Sequence, residues 1–352
     1  MKPIIAVIFG GVSVEHKISL LSAMNVIEHI NHEVYDILQI GIAQDGKMYV
    51  GPEVLLSLQH NKPLEHLPQC IISTNQCLPG IHIFSKGKDT FQQKVDLFFP
   101  VVHGTQGEDG SLQGILEYTG IPYIGSHVLG SALGMDKIIM KKVFATYRLP
   151  QVPFLPFTKK QINTDIISVK EEILANLRYP LFIKPANLGS SIGVKKVKTN
   201  GKLEDALEEA CHFSERVIVE QGLTNIREIE CAVLETEGEL ATSMVGEVIP
   251  SGEFYDYDAK YNDENTQMII PALLDKVTTS NIQKMAKDVF TMLDLRGVAR
   301  VDFFVNDEQI FINEVNTLPG LTAASMYPRL FAAQGMNIET LLQKMIDNVL
   351  TS

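Results

Sequence analysis

Cysteine is scarce in this 352-residue chain, and Cys70, Cys77, Cys211 and Cys231 form no CxxC pair and no zinc-site spacing. A disulfide framework and a cysteine-held zinc are both excluded, which predicts reduced thiols in a cytoplasmic protein. Positive charge is short as well: 30 Lys and Arg against 42 Asp and Glu leave a formal net charge of −12, with an isoelectric point near 5.3. Nucleic acids and anionic membrane surfaces are therefore poor partners, and an anionic small molecule would need a local basic pocket. No apolar run reaches membrane-spanning length. The N-terminal KPIIAVIFGG is short and ends in Gly-Gly without a small-x-small site, which predicts a strand and not a secretion signal. The chain has no internal repeat, low-complexity tract, long charge run or GxxxxGK[ST] phosphate loop. What remains is 45% hydrophobic residues and a mean hydropathy of +0.08, a soluble chain long enough for two or three cored domains.

Residues 4–9, IIAVIF, form an apolar β-branched run that predicts a buried parallel strand. Gly10-Gly11 then turns the chain into a helix expected from about Ser13, with Glu15 in its first turn, where an acid suits the helix dipole. The strand, glycine turn and helix recur at VDLFFPVVHG and GSLQGILEYTG. Residues 1–136 thus form an α/β domain with its ligand loops at the carboxyl ends of the strands. The stretch from about 45 to 95 is rich in Pro, Gln and Gly and is expected to be an insertion with weak structure of its own. A second unit, 137–223, opens on the amphipathic MDKIIMKKVFATYRLP and continues through YPLFIKPANLGSSIGVKKV, a strand, a Gly/Ser loop and a strand. A third, 224–352, has long alternating strands, the loop SGEFYDYDAKYNDENT, a helix near 280–293 and a hairpin, VDFFVNDEQIFINEVN.

Three stretches carry chemistry. Folding the hairpin about Asn306-Asp307-Glu308 places 302 near 312 and 300 near 314. Asp302 and Glu314 become diagonal neighbours, with Asn316 on the face of Glu314. Adjacent carboxylates repel unless a proton or cation lies between them, and oxygen-only ligands favour Mg²⁺. Solvated acids at strand ends would give the same spacing, so the hairpin suggests a site without establishing one. In IKPANLGSSIGV, Lys184 ends an apolar strand before Gly189, Ser190, Ser191 and Gly193, small residues whose backbone N–H groups can approach phosphate oxygens. An ordinary hairpin turn has the same composition, and Lys137 could be a surface helix lysine. In VIVEQGL and REIECAV, Glu220 ends a buried strand and Glu228 opens another, placing carboxylates where an adenine amino group or ribose hydroxyls could donate to them.

Taken in order, GGVSVEHKISL, HGTQGEDGSLQG, GSALGMDK, KPANLGSSIGV, EFYDYDAKY, ARVDFF and NEVNTLPGLTAASMYP resemble the ATP-grasp enzymes, and among them the D-alanine–D-alanine ligase family. The resemblance spans nearly the whole chain outside 45–95. It implies a three-domain ATP-grasp fold, an N-terminal parallel-sheet α/β domain followed by two α+β domains that clamp ATP. Lys137 and Lys184 match the lysines on the α- and β-phosphates, with Ser191 in the phosphate loop. Glu220, Leu223 (through its backbone) and Glu228 match the adenine and ribose contacts. Asp302, Glu314 and Asn316 match the ligands of two Mg²⁺ ions, a role Mn²⁺ also fills. Glu15 matches the receiver of the first substrate's ammonium, in a set with Ser190 and Tyr261. Arg300 and the backbone of Gly320 match the oxyanion-stabilising groups. Lys260, Ser325 and Met326 match contacts to the γ-phosphate or the second substrate's carboxylate. His103 matches a histidine near the reacting groups, its role open.

The implied activity joins two D-alanines through a D-alanyl phosphate, for peptidoglycan precursors, in a cytoplasmic homodimer with no nucleic-acid or membrane partner. The logic is sound chemically, since a free carboxylate is a poor electrophile and an acyl phosphate carries a good leaving group. The polar loop at 251–266 is the expected lid over that intermediate. Two alternatives stay open: a ligase making D-alanyl-D-lactate or D-alanyl-D-serine, and a non-catalytic nucleotide-binding module. Tyr261 speaks against lactate, because some lactate-using relatives carry phenylalanine there. Arg300 and Glu15 speak against the module, because nucleotide binding alone needs neither.

Overall fold

The structure is a computed structural model that describes residues 2–84, 91–250, 266–306 and 309–351. Its first sheet is built on β1 (Ile4–Gly10), flanked in parallel by β2 (Asp36–Ile42) and β7 (Leu97–Pro100). From β2 the sheet continues antiparallel through β3 (Met48–Val50), β4 (Gln69–Ile72), β5 (Ile81–Phe84) and β6 (Phe91–Gln93). The expected parallel core is there, extended by antiparallel strands. One expectation is corrected: residues 45–95 are not a weakly structured insertion, since they supply four of the seven strands and a helix, α2 (Val54–Gln59). Val54, Leu55 and Leu58 of that helix are buried in the same core as Phe9.

α1 (His16–His29) packs on β1, and α3 (Ser111–Thr119) and α4 (Val128–Met135) lead out of the first domain. Glu15 is the N-cap residue of α1 and not part of its first turn, and its side chain makes no capping bond. Gly10 shows why a glycine ends β1: with φ +89°, a Cβ there would lie 2.2 Å from the Ile42 carbonyl oxygen, which the Gly11 amide uses as its acceptor.

The second sheet orders β10 (Lys195–Val197), β9 (Leu181–Pro185), β11 (Arg216–Gln221) and β8 (Phe154–Thr158), all antiparallel. α5 (Lys137–Thr146) precedes it, and α6 (Lys159–Thr164), α7 (Ile166–Asn176) and α8 (Leu203–Phe213) accompany it. The apolar stripes of α7 and α8 meet the strands at Ile173, Leu207, Leu181 and Val219.

The third sheet is antiparallel in the order β14 (Gln267–Ile269), β13 (Glu239–Ile249), β12 (Arg227–Thr236), β15 (Val298–Asn306) and β16 (Gln309–Asn316). α9 (Lys276–Met292) covers one face through Ile282, Val289 and Phe290. α10 (Met326–Ala332) and α11 (Ile338–Leu350) place Tyr327, Phe331, Leu341 and Met345 in one core with Val7, Phe9 and Val26 of the first domain. The last helices thereby join the first and third sheets through shared apolar burial, at roughly 1.5–3 kcal/mol for each large side chain.

The hairpin register also differs from expectation. Phe303 faces Ile312, but Asp302 faces Glu314 directly, with a bulge that leaves Asn313 unpaired between them. A bulge swings the strand locally and brings the two carboxylates opposite each other. The lid assigned to 251–266 lies outside the described residues except for Thr266, as do Lys260, Tyr261 and turn residues Asp307 and Glu308.

Candidate active site

A cleft of about 630 Å³ opens between the second and third sheets, within the size range of small-molecule sites. Lys137 reaches it from the start of α5, Lys184 from β9 and Ser191 from the following loop. Glu220 and Leu223 come from the end of β11, Glu228 from β12, and Asp302 and Glu314 from the hairpin. Residues far apart in sequence thus share one cavity because both sheets turn strand ends toward it.

Each charged group has a partner that fixes it. Asp136 caps α5 by accepting from the Ile138 and Ile139 amides and is held by Arg216. That fixes the helix end from which Lys137 donates to the Leu188 carbonyl at 2.8 Å and lies 3.8 Å from Glu314. Lys184 donates to Glu220 at 2.6 Å, and the other Glu220 oxygen lies 3.4 Å from Lys141. Burial pushes the Glu220 carboxyl up, but the two lysines outweigh it and hold it below the usual range. The carboxylate expected to meet an adenine amino group is therefore engaged by two ammonium groups. Ser190 and Ser191 sit at φ +49° and +57°, in the left-handed region, which bends the loop back over the cleft.

Arg300 lies where the hairpin begins. Its Nε and a terminal nitrogen donate to both Asp302 oxygens at 2.7 and 2.8 Å, and its Nε lies 2.9 Å from Glu230. Asn316 Nδ2 donates to Asp302 at 3.0 Å. Among the described residues no group of three or more His, Cys, Asp or Glu is placed to hold a metal ion, so their side chains alone build no metal cage there. Two carboxylates and an amide on adjoining strands are nonetheless hard oxygen donors, the set that suits Mg²⁺ when phosphate and water complete its shell.

A second cluster links the first domain to this cleft. The Glu15 carboxylate, 7% exposed, accepts a hydrogen bond from Ser190. Its backbone amide is tied to Ser13, and Ser13 donates to the His103 carbonyl. The His103 ring lies between Ser22 at 3.1 Å and Glu108 at 3.2 Å. Burial pushes that imidazole down, but the bond to Glu108 and the charges of Glu108 and Glu15 outweigh it, and it stands above its ordinary value. Ser22 also accepts from the Leu321 amide, and Asn25 donates to the Leu321 carbonyl. α1 thus pins the backbone just after Gly320. Ser325 stands at the N-cap position of α10 without a side-chain capping bond and accepts instead from the Thr322 amide at 3.1 Å, with Met326 buried behind it.

Sequence reading missed Lys141, Glu108, Ser22 and Glu230. Two carried a usable signal: Lys141 lies one helical turn after Lys137, and Glu230 shares a strand face with Glu228. The cysteines are free, and burial pushes the Cys70 and Cys231 thiols up to about 12, so neither is a nucleophile.

Comparison with known proteins gives consistent matches. The family model for the D-ala D-ala ligase N-terminus matches residues 4–126, and that for the D-ala D-ala ligase C-terminus matches 143–347. A D-alanine–D-alanine ligase of Acetivibrio thermocellus is 41% identical over 97% of this chain and 94% of that protein. One from Ruminiclostridium cellulolyticum is 43% identical with the same coverage of both chains. Among solved structures, the VanG D-Ala:D-Ser ligase of Enterococcus faecalis superposes with a TM-score of 0.88 at 37% identity, over 98% of this chain and 99% of that one. The D-alanine–D-alanine ligase of Coxiella burnetii gives 0.85 at 33%, over 99% and 94%.

Proposed function

The chain belongs to the D-alanine–D-alanine ligase family, and from that membership we propose how its cleft joins two D-alanines at the expense of ATP. The first D-alanine sits with its ammonium at Glu15 and Ser190. One of its carboxylate oxygens takes the γ-phosphoryl group of ATP, giving D-alanyl phosphate and ADP. The amine of the second D-alanine, having lost a proton, attacks the acyl carbon, and phosphate leaves with that carboxylate oxygen. The dipeptide serves peptidoglycan synthesis.

Phosphoryl transfer asks the protein mainly for position and charge. Lys137 and Lys184 meet the phosphates, Ser191 lies in the loop over them, and Leu223 and Glu228 face the adenosine. Asp302, Glu314 and Asn316 hold Mg²⁺, which when bound neutralises phosphate charge. Arg300 and the Gly320 amide face the oxygen that becomes negative as the amine adds. Ser325 and Met326 take the second substrate's carboxylate, and Lys260 and Tyr261 act from outside the described residues. His103 positions the Glu15 cluster. No helix among the described residues is long and apolar enough to cross a membrane; we assign the enzyme to the cytoplasm, as a homodimer.

The observation that carries this reading is the Ser190–Glu15 bond, which joins a first-domain acid to the phosphate loop across 175 residues of sequence. An ATP-binding module has no use for it, whereas a ligase must hold an amino acid beside a phosphoryl group. A coupled phosphate-release assay tests the proposal. D-Alanine should support turnover and yield the dipeptide, and L-alanine should not. Preferential product formation from mixed D-alanine with D-serine or D-lactate would assign the chain to a sister specificity, and no amino-acid-dependent phosphate release would refute the ligase.

A further inference from the structure

Lys141 is the most deeply buried amine among the described residues, fully enclosed in α5 beneath the cleft. Its Nζ makes no hydrogen bond and faces Glu220 at 3.4 Å, with the Phe154 ring 5.8 Å away on another side. A lone ammonium is costly to bury and is kept only where a partner compensates it. The partner in this protein is a carboxylate that also holds Lys184, a lysine of the nucleotide cleft. The three groups form a line of plus, minus, plus, with one end sealed in protein and the other at the cavity.

We propose that Lys141 is a positioning residue, the fixed counter-charge that keeps Glu220 compensated when Lys184 turns from it toward a nucleotide phosphate. The inference rests on the nucleotide reading of the cleft and adds a residue that touches no ligand. Glu220 is 2% exposed, so without Lys141 its charge has Lys184 alone, and pulling Lys184 away would strand a buried carboxylate. Lys184 would then stay on Glu220, and phosphate would lose its ligand. Burial lowers the Lys141 ammonium and Lys184 adds to that fall, while Glu220 and, more weakly, Glu314 oppose it.

The test uses the full chain with ADP and adenosine as probes in isothermal titration with Mg²⁺ present, on Lys141→Met, Glu220→Gln and the double variant. Lys141→Met should bind ADP at least tenfold more weakly, which is about 1.4 kcal/mol, and adenosine within twofold of wild type. Its KM for ATP should rise while kcat at saturation stays within threefold. In the Glu220→Gln background, where no charge needs compensation, adding Lys141→Met should change ADP affinity less than twofold. Equal losses for ADP and adenosine would mean a general structural role and overturn the proposal. So would unchanged ADP binding, or a full Lys141→Met effect in the Glu220→Gln background. If Lys141→Met alone does not fold, comparing Glu220→Gln with the double variant decides the question. A wild-type protein that does not bind ADP would instead refute the nucleotide reading itself.

Discussion

Gly104 and Gly238 have nearly the same φ and opposite surroundings, which separates strain from chemistry. Gly104 has φ +74°, and a Cβ there would lie 2.1 Å from a Glu15 carboxylate oxygen, well inside the 3.0 Å that real Cβ contacts respect. Gly238 has φ +76° with nothing within 4 Å. Alanine at either site costs about 1–2 kcal/mol of left-handed backbone strain. At Gly104 it must also push the Glu15 carboxylate or its loop aside by nearly an ångström. Misplacement of about 1 Å in a positioning group costs about 10²-fold in rate, or about 2.7 kcal/mol of transition-state stabilisation. Gly104→Ala should therefore lose about 10²-fold in kcat/KM for D-alanine by phosphate release, with ADP affinity unchanged. Gly238→Ala should show a similar fall in urea stability and wild-type kinetics. If folded Gly104→Ala kept kcat/KM within threefold of wild type, Glu15 would not hold the amino acid. A parallel fall in ADP affinity would place the damage in the nucleotide cleft instead.

Arg300→Lys keeps the charge between Glu230 and Asp302 but loses the two-pronged fork. It should fold and lower kcat by roughly 10²–10³-fold with ADP affinity intact; a change confined to the KM for ATP would make Arg300 a phosphate clamp. Glu314→Gln should need far more Mg²⁺ for activity and recover in part at high Mg²⁺, because one anionic ligand is lost while the others remain. A Mg²⁺ titration identical to wild type would remove Glu314 from the metal site. A raised imidazole in the folded state means that protonated His103 stabilises the fold. That contribution is full below the ordinary value of about 6.5 and fades as pH rises through the raised one. Burial raises the Glu108 carboxyl too, so in acid it protonates and resembles glutamine; the urea-midpoint advantage of wild type over Glu108→Gln should thus shrink as pH rises above about 6.5, and parallel curves over that range would contradict it.

Local signals made much of this legible in the sequence. The apolar run of β1, the glycine turn after it and the helix of MDKIIMKKVF each needed only neighbours a few residues apart. Lys184 and the hairpin acids stood out because charge at the end of an apolar strand is locally anomalous. Residues 45–95 hid their structure because strands of three or four residues are too short to show a period. Their order comes from pairing across the sheet. The register at Asp302 depended on a bulge at Asn313, which follows from packing and leaves no compositional trace. The Lys141–Glu220 and His103–Ser22 pairs join distant segments, and no local window contains both partners.

The most direct test of carboxylate activation in this cleft follows one oxygen atom. D-Alanine labelled with ¹⁸O in its carboxylate is incubated with the enzyme, ATP and Mg²⁺, and the released phosphate is analysed by mass spectrometry. Transfer of one labelled oxygen to phosphate in each turnover is the expected result, because phosphate leaves the acyl phosphate with the oxygen that came from the D-alanine carboxylate. Phosphate released without label while dipeptide accumulates would contradict the acyl phosphate, and with it the roles of the Glu15 cluster, Arg300 and the phosphate lysines.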